Sequence, residues 1–279
     1  MSDQKVDQGL SLVLGGTGKT GRRVAERLAN AGYPFRIGSR SALRPFDWED
    51  QATWAGALEG VKSVYVAFQP DLAVPGALQT VQAFFAQAIE SGTGRFVLLS
   101  GRGEFEAEQC EAALCSTGAE WTILRASWFS QNFSESFLLD AVRAGEVALP
   151  AGAIAEPFVD VEDIADIAFA ALTQRGHAFQ LYELTGPRAL SFPEAIADIA
   201  AATGRDIRFT QVPPEAYAAE LARQGVPADH ADLVMYLFTT VLDGRNTPVT
   251  NGVERALKRG PRDFSDYVRR TAATGVWGA

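Results

Sequence analysis

The sequence predicts an α/β fold in which a doubly wound parallel sheet is followed by a smaller, mainly helical lobe. Short apolar runs recur at Leu12-Val13-Leu14, Val64-Tyr65-Val66-Ala67-Phe68 and Phe96-Val97-Leu98-Leu99, as expected of strands covered on both faces. Segments with helical spacing of apolar residues alternate with these runs, and that alternation favours parallel strands joined by crossover helices. The first run passes directly into Gly15, Gly18 and Gly21 and then into a helix, the arrangement in which such a sheet presents backbone N–H groups and a helix N-terminus to a phosphate.

The elements follow in order. Val24, Leu28 and Ala31 place a helix after Gly18, which Gly32 ends. Phe35 to Ser39 reads as a short second strand. Trp54, Leu58 and Val61 suggest a short helix after Asp50 as its cap. The strand at 64–68 is followed by Pro70 and Pro75, then by a helix through Val81, Phe84, Phe85 and Ile89. The strand at 96–100 precedes a helix over 107–116, and Trp121 to Leu124 is a further strand. Beyond Arg125 the rhythm changes: Phe129, Phe133, Phe137 and Leu138 have helical spacing, 161–173 is an alanine-rich helix, and Tyr182 to Leu184 is a late strand. Ser191-Phe192-Pro193-Glu194 has the form of a capping box. A helix to Thr203, a strand at 209–212 and helices over 215–224, 231–242 and 264–271 complete the chain. Residues 1–150 are thus expected to form the sheet domain, with a strand and helix near 155–185 returning to it, and 186–279 the C-terminal lobe.

Composition narrows the function. The 279 residues carry a formal net charge of −9, which argues against broad binding to nucleic acid or anionic membrane. No apolar stretch is long enough to span a bilayer. Met1 to Gln8 is polar and lacks the apolar core of a signal peptide, so a cytoplasmic protein is expected. Cys110 and Cys115 share one predicted helix and cannot make a disulfide framework. With only His177 and His230 besides, no metal-ligand spacing exists; both histidines read as surface or turn residues.

The end of the second strand is where a dinucleotide site discriminates between riboses. A carboxylate there favours NAD, but this chain offers Ser39-Arg40-Ser41. A guanidinium pairs well with a 2′-phosphate, and Arg22 adds a second positive group, so NADP(H) is the expected cofactor. Gly-Gly-Thr-Gly-Lys-Thr is not a P-loop, because too few residues separate its first glycine from Gly-Lys.

Several stretches together resemble one family. Gly-Gly-Thr-Gly-Lys-Thr-Gly at 15–21, Phe-Asp-Trp at 46–48, Thr-Ile-Leu-Arg-Ala-Ser-Trp-Phe at 122–129, Gln131-Asn132-Phe133, the run from Pro157 to Asp166, and Leu184-Thr185-Gly186-Pro187 are similar to the NmrA-like branch of the atypical short-chain dehydrogenases, in the manner of quinone oxidoreductases and ergot-alkaloid reductases. The resemblance implies a Rossmann domain with a small substrate lobe. It implies that the Gly15–Gly21 turn, with Thr17, Lys19 and Thr20, meets the pyrophosphate. Ser39 and Arg40 would meet the adenosine ribose and its phosphate, and Asp47 and Trp48 would flank the adenine. Ala67, Phe68, Gln69, Ser100 and Gly101 would lie along the nicotinamide half.

One departure bears on mechanism. None of the tyrosines is followed by lysine at the Tyr-x-x-x-Lys spacing, and the helix that should carry the pair reads Glu106-Ala107-Glu108-Gln109-Cys110-Glu111. Ordinary ketone reduction through that pair is therefore not expected. The preferred reading is an NADPH-dependent reductase of a flat aromatic or quinone-like substrate. Ser100, Gln69 and Asn132 would be hydrogen-bond donors, and Trp128, Phe129, Phe133 and Phe158 would line an apolar pocket. A hydroquinone product that reacts with oxygen would extend this to a monooxygenase outcome in natural-product tailoring. The alternative is a redox-sensing regulator that binds NADP and a partner protein without turnover; a sugar epimerase ranks below both, since that chemistry also needs the missing tyrosine.

Overall fold

The computed structural model describes residues 9–278; the polar segment Met1 to Gln8 lies outside the described residues. The chain divides into two compact units. The first holds the described residues up to Ala126, then Val161–Leu184 and Asn251–Arg259. The second holds Ser127–Asp160, Thr185–Thr250 and the residues from Gly260 onward. The chain leaves the first unit at Ala126, upstream of the boundary at 150 expected from the sequence, and the returning segment begins at Val161.

In chain order the elements are β1 (Leu10–Leu14), α1 (Gly21–Asn30), β2 (Phe35–Gly38), α2 (Trp54–Leu58), β3 (Val61–Val66), α3 (Ala77–Glu90), β4 (Arg95–Gly101), α4 (Phe105–Cys115), β5 (Glu120–Ala126), α5 (Asn132–Glu135), α6 (Leu139–Ala144), β6 (Glu146–Leu149), β7 (Ala155–Glu156), α7 (Val161–Thr173), β8 (Gln180–Leu184), β9 (Leu190–Ser191), α8 (Phe192–Thr203), β10 (Arg208–Gln211), α9 (Pro214–Arg223), α10 (Ala228–Tyr236), α11 (Gly252–Leu257) and α12 (Phe264–Ala272).

The first unit is built on a six-stranded sheet in the order β2-β1-β3-β4-β5-β8, parallel throughout. The chain moves outward from β1 to β2 and then crosses back to β3, so the order reverses between β1 and β3. Ligands of such sheets bind at the carboxyl ends of the strands flanking that reversal. Leu12, Leu14, Val64, Val66, Phe96 and Leu98 pack in one cluster with Trp54, Phe84 and Phe85. Asp50 caps the turn before α2, its side chain accepting from the Ala52 N–H at 3.0 Å. Helix α1 is fastened to α7 by charge: Arg23 meets Glu162 at 2.5 Å, and Arg27 meets Glu162 and Asp166 at 2.7 Å each. Burial alone would raise the Glu162 pKa, but hydrogen bonds from Arg27 and Arg23 outweigh it and hold the carboxyl below its ordinary value.

The second unit has its own core and two small sheets, β6 with β10 in parallel and β7 with β9 antiparallel. Strands β7 and β9, of two residues each, are too short to stand out from the sequence, and β6 is a further strand not expected from it. Ser191 caps α8 with the predicted box: its Oγ accepts from the Glu194 N–H while the Glu194 carboxylate accepts from the Ser191 N–H at 2.7 Å. The helix expected from Phe129 through Leu138 is broken. Helix α5 ends where Ser136 turns extended, with φ −150° and ψ −164°, and this leaves Phe137 exposed. The helix expected over 231–242 starts at Ala228 and widens to π geometry over Leu237–Val241.

Phe133 and Phe158 are core residues and not a pocket wall. They are 0% and 2% exposed, their rings lie 5.4 Å apart, and Phe192 and Phe264 pack against both. The Phe133 carbonyl also accepts the Trp277 indole N–H at 2.7 Å. Phe133→Ala is therefore expected to lower the unfolding free energy by roughly 3–5 kcal/mol, read from urea denaturation; a negligible loss would contradict this placement.

Candidate active site

The site of the first unit begins where β1 ends. Gly15 has φ +64°, and a Cβ placed on it would stand 3.1 Å from the Ala67 Cβ at the end of β3. The Gly18 N–H donates to the Gly15 carbonyl at 2.8 Å, closing the turn. A Cβ on Gly21 would lie 2.2 Å from the same carbonyl oxygen, so only glycine lets α1 start against the turn. The first turn of α1 carries no acidic side chain, which leaves its positive end uncompensated for an anion. Lys19 gives its carbonyl to Arg23 Nη1 at 2.7 Å. Thr20 is buried at the start of the helix and beside the Tyr65 hydroxyl of β3. Thr17, between Gly16 and Gly18, is exposed.

At the end of β2 the Ser39 carbonyl gathers the N–H groups of Ala42 and Phe46 at 3.2 and 3.0 Å, forming a tight loop. Arg44 pairs with Glu59, and Arg36 donates to the Ala57 carbonyl. Arg40 is exposed and makes no hydrogen bond or ion pair among the described residues. Asp47 is locked by its backbone, with the Trp54 indole N–H on its carbonyl at 2.7 Å and its N–H on Thr53 Oγ1 at 3.0 Å. Trp48 beside it is half-buried. Its ring sits 4.8 Å from that of Phe68 and edge-on to Phe46 and Phe84, which makes one aromatic wall from the 46–48 stretch and the end of β3.

The segment after β3 runs along the turn. Ala67 and Phe68 are half-buried, and the exposed Gln69 holds its side-chain nitrogen 3.7 Å from where a Cβ on Gly18 would lie. Ser100 was expected to donate to a ligand, but its hydroxyl is already committed: it is 4% exposed and donates to Glu111 at 2.6 Å. Arg125 holds the same carboxylate through Nε at 2.9 Å and through Nη2. Ser100 thus braces β4 against α4 and β5. Gly101 follows it at the end of the strand.

Sequence reasoning missed two carboxyl groups here, the buried Glu104 and the half-buried Asp71. Asp71, two residues after Gln69, and Glu104, three after Gly101, are hydrogen-bonded to each other. Burial, then the charge of Asp71, pushes Glu104 well above the usual carboxylate range; burial likewise raises Asp71. Neither lies in a recognisable motif, and only the fold brings their loops together. Burial also pushes the neighbouring Cys110 thiol up to about 11, so it stays protonated and is no nucleophile at neutral pH.

Trp128, Phe129 and Asn132 belong to the second unit with Phe133 and Phe158. Trp128 is half-buried against Phe192 and Phe238, at 5.3 and 5.0 Å. Phe129 and Asn132 are also half-buried, and the 128–130 backbone is fixed by Val159, whose N–H donates to Trp128 and whose carbonyl accepts from Ser130, both at 2.9 Å. His177 is not a surface residue. It is buried before β8, bonded to the Tyr182 hydroxyl at 3.1 Å, and burial lowers its pKa. Among the described residues no group of three or more His, Cys, Asp or Glu could hold a metal ion, and no helix is long and apolar enough to cross a membrane.

Comparison with known proteins decides the family. The chain is 32% identical over 279 residues to the uncharacterized oxidoreductase YesF of Bacillus subtilis, covering 95% of this chain and 97% of that one. The chain belongs to the NmrA-like atypical short-chain dehydrogenases and reductases. Agroclavine dehydrogenase of Claviceps fusiformis is likewise 32% identical, over 92% of this chain and 95% of its own. Among solved structures, the NADPH-dependent quinone oxidoreductase of Escherichia coli in complex with NADPH superposes with a TM-score of 0.76 at 19% identity, covering 94% of this chain and 99% of that one; at that identity it speaks for the fold. No family model matches the chain. The family is one of NAD(P)H-dependent oxidoreductases, and the glycine turn and the unpaired Arg40 suit such a cofactor.

Gly18 tests the cradle directly, since a Cβ there would press on the Gly15 carbonyl at 3.2 Å and meet the end of the Gln69 side chain at 3.7 Å. Gly18→Val is expected to weaken NADPH by about tenfold or more, a loss of about 1.4 kcal/mol, in a fluorescence titration. Wild-type affinity in the variant would remove the turn from the cofactor site.

Proposed function

We propose that this protein binds NADPH on the first unit and reduces a flat aromatic or quinone-like acceptor. The observation that carries the cofactor choice is Arg40, exposed and unpaired at the end of β2, where a carboxylate would serve NAD. In this reading the Gly15 to Gly21 turn with Thr17, Lys19 and Thr20 cradles the pyrophosphate. Ser39 and Arg40 take the ribose 2′-phosphate. Trp48 and Asp47 flank the adenine, and Ala67, Phe68, Gln69 and Gly101 line the nicotinamide half. Reduced nicotinamide supplies a hydride there.

The acceptor class is argued from what the chain lacks and what its relatives act on. Helix α4 contains no tyrosine, so no Tyr-x-x-x-Lys pair protonates an aliphatic alkoxide. A quinone makes a smaller demand on the acid, because its reduced oxygen is weakly basic and orientation with a few donors counts for more than a strong general acid. The relatives named as agroclavine dehydrogenase and quinone oxidoreductase support a ring-bearing substrate. Trp128 and Phe129, half-buried and fixed by the Val159 backbone, offer apolar surface suited to a flat ring.

Arg40→Ala removes a charge-assisted pair worth about 1.5–3 kcal/mol. It should weaken NADPH by roughly tenfold or more and leave NADH nearly unchanged. Equal binding of NADH and NADPH by the wild type would refute the assignment of Arg40.

For the reaction, NADPH absorbance is followed with naphthoquinones, azo dyes and simple aliphatic ketones, with oxygen uptake recorded. Turnover of the flat acceptors alone is expected. Tight NADPH binding with no turnover of any acceptor would replace the reductase by a redox sensor, and oxygen consumed with the quinones would establish the monooxygenase outcome.

A further inference from the structure

The Asp71 and Glu104 carboxyls meet in the loops that follow β3 and β4, and the turn bond that Asp71 makes to its own loop does not account for Glu104. Glu104 stands at the N-cap of α4, yet its side chain makes no cap bond. It is 6% exposed, and its Oε2 has no hydrogen-bond partner. Its carboxyl lies over Gly101, where a Cβ would be 2.1 Å from Cδ and Oε1, so the glycine at the strand end makes the room it fills. Asp71 is only half-buried and takes the Ala73 N–H at 2.9 Å. Neither acid has an ion-pair partner among the described residues. The groups facing Glu104 are Asp71 from the loop after β3 and Glu106 and Glu111 from α4, with the protonated Cys110 thiol beside Asp71. The nearby guanidinium of Arg125 on β5 is spent on Glu111.

Two carboxyls in hydrogen-bond contact must keep a proton between them, because like charges at that distance do not both ionise. Resting on the oxidoreductase reading above, we propose that Asp71 and Glu104 share one proton and that Asp71, the more exposed of the two, delivers it to the reduced substrate. The acceptor gains two electrons with the hydride and is left with an anionic oxygen or nitrogen. The Asp71 O–H bond breaks as the new O–H or N–H bond forms. The pair is left as two carboxylates and recovers one proton from water. Asp71 is then the catalytic acid, and Glu104 is a positioning residue that holds the proton on its partner. The pair occupies the role left vacant by the missing tyrosine, and it sits two residues beyond Gln69, whose amide reaches the glycine turn.

The test compares wild type, Asp71→Asn and Glu104→Gln by turnover against pH, NADPH titration, melting temperature and the infrared band of protonated carboxyl groups. Folded pKa values above those of the unfolded chain mean that the pair contributes stability below the ordinary carboxylate range, lost as pH rises through the raised values. Neither neutral variant should therefore melt lower at neutral pH. Asp71→Asn is expected to cut turnover by about 100-fold or more while NADPH binds as before. Wild-type turnover should fall as pH rises through the titration of the pair. Glu104→Gln removes the negative neighbour and should move that fall to lower pH. The wild-type protein at neutral pH should show a protonated-carboxyl band that both variants lose or shift. Absence of that band in the wild type overturns the proposal without any variant having to fold. Turnover retained in Asp71→Asn, or an unmoved pH profile in Glu104→Gln, overturns the donor role alone. A wild type that turns over no acceptor overturns the oxidoreductase reading and the donor role with it, while the band still reports whether the proton is shared.

Discussion

The approach of α1 to the end of β1 is the constraint on which the first unit depends. A methyl group at Gly21 would sit 2.2 Å from the Gly15 carbonyl oxygen, so the helix can begin where it does only if that position has no side chain. This contact lets α1 begin directly after the turn at the end of β1, one of the two strands between which the order reverses. It also fixes where α7 must lie, because Arg23 and Arg27 on α1 reach Glu162 and Asp166 on α7. The ion pairs are partly buried and are satisfied on both sides. Their worth lies in holding two helices in one register more than in net stability.

Much of this was legible in the sequence because it is local. A strand, a glycine turn and a helix within about twenty residues leave few other folds, and the glycine spacing is itself a record of close backbone approach. The Ser191 box and the Asp50 cap were legible for the same reason: cap and capped group lie within three residues of each other. Arg40 could be placed at the end of β2, although only the structure distinguishes it from Arg36 and Arg44, which are occupied by Ala57 and Glu59.

What was not legible is what depends on distant parts of the chain meeting. Helical spacing announced that Phe133 faces something apolar, but spacing cannot distinguish a substrate from Phe158, Phe192 and Phe264. The strand-end position of Ser100 suits a free donor; its partner, Glu111, lies on the next helix and is itself held from β5 by Arg125. His177 looked like a turn residue and is a buried one, since its partner Tyr182 is on the strand that follows it. Asp71 and Glu104 form no motif, and nothing in either local sequence signals that the two loops converge.

That convergence changes how the missing Tyr-x-x-x-Lys pair is understood. Such a pair supplies a weak acid whose proton is released only when charge develops on the substrate. A lone exposed aspartate cannot take its place, because at neutral pH it has already lost its proton. Burial and a second carboxylate change that by making the charged form of the pair costly, so that one proton stays to higher pH. The cost falls on stability at neutral pH, and a fold keeps such a pair only against that cost. Here the rest of the local structure accommodates it: Gly101 leaves room for the Glu104 carboxyl, α4 is left without its cap bond, and the Arg125 guanidinium is bound to Glu111. Had Arg125 faced Glu104, the acid would ionise and the pair would be a salt-bridged strut. Arg125 is turned to Glu111, where it completes a structural network with Ser100 and leaves the neighbouring pair a proton that can still be given away.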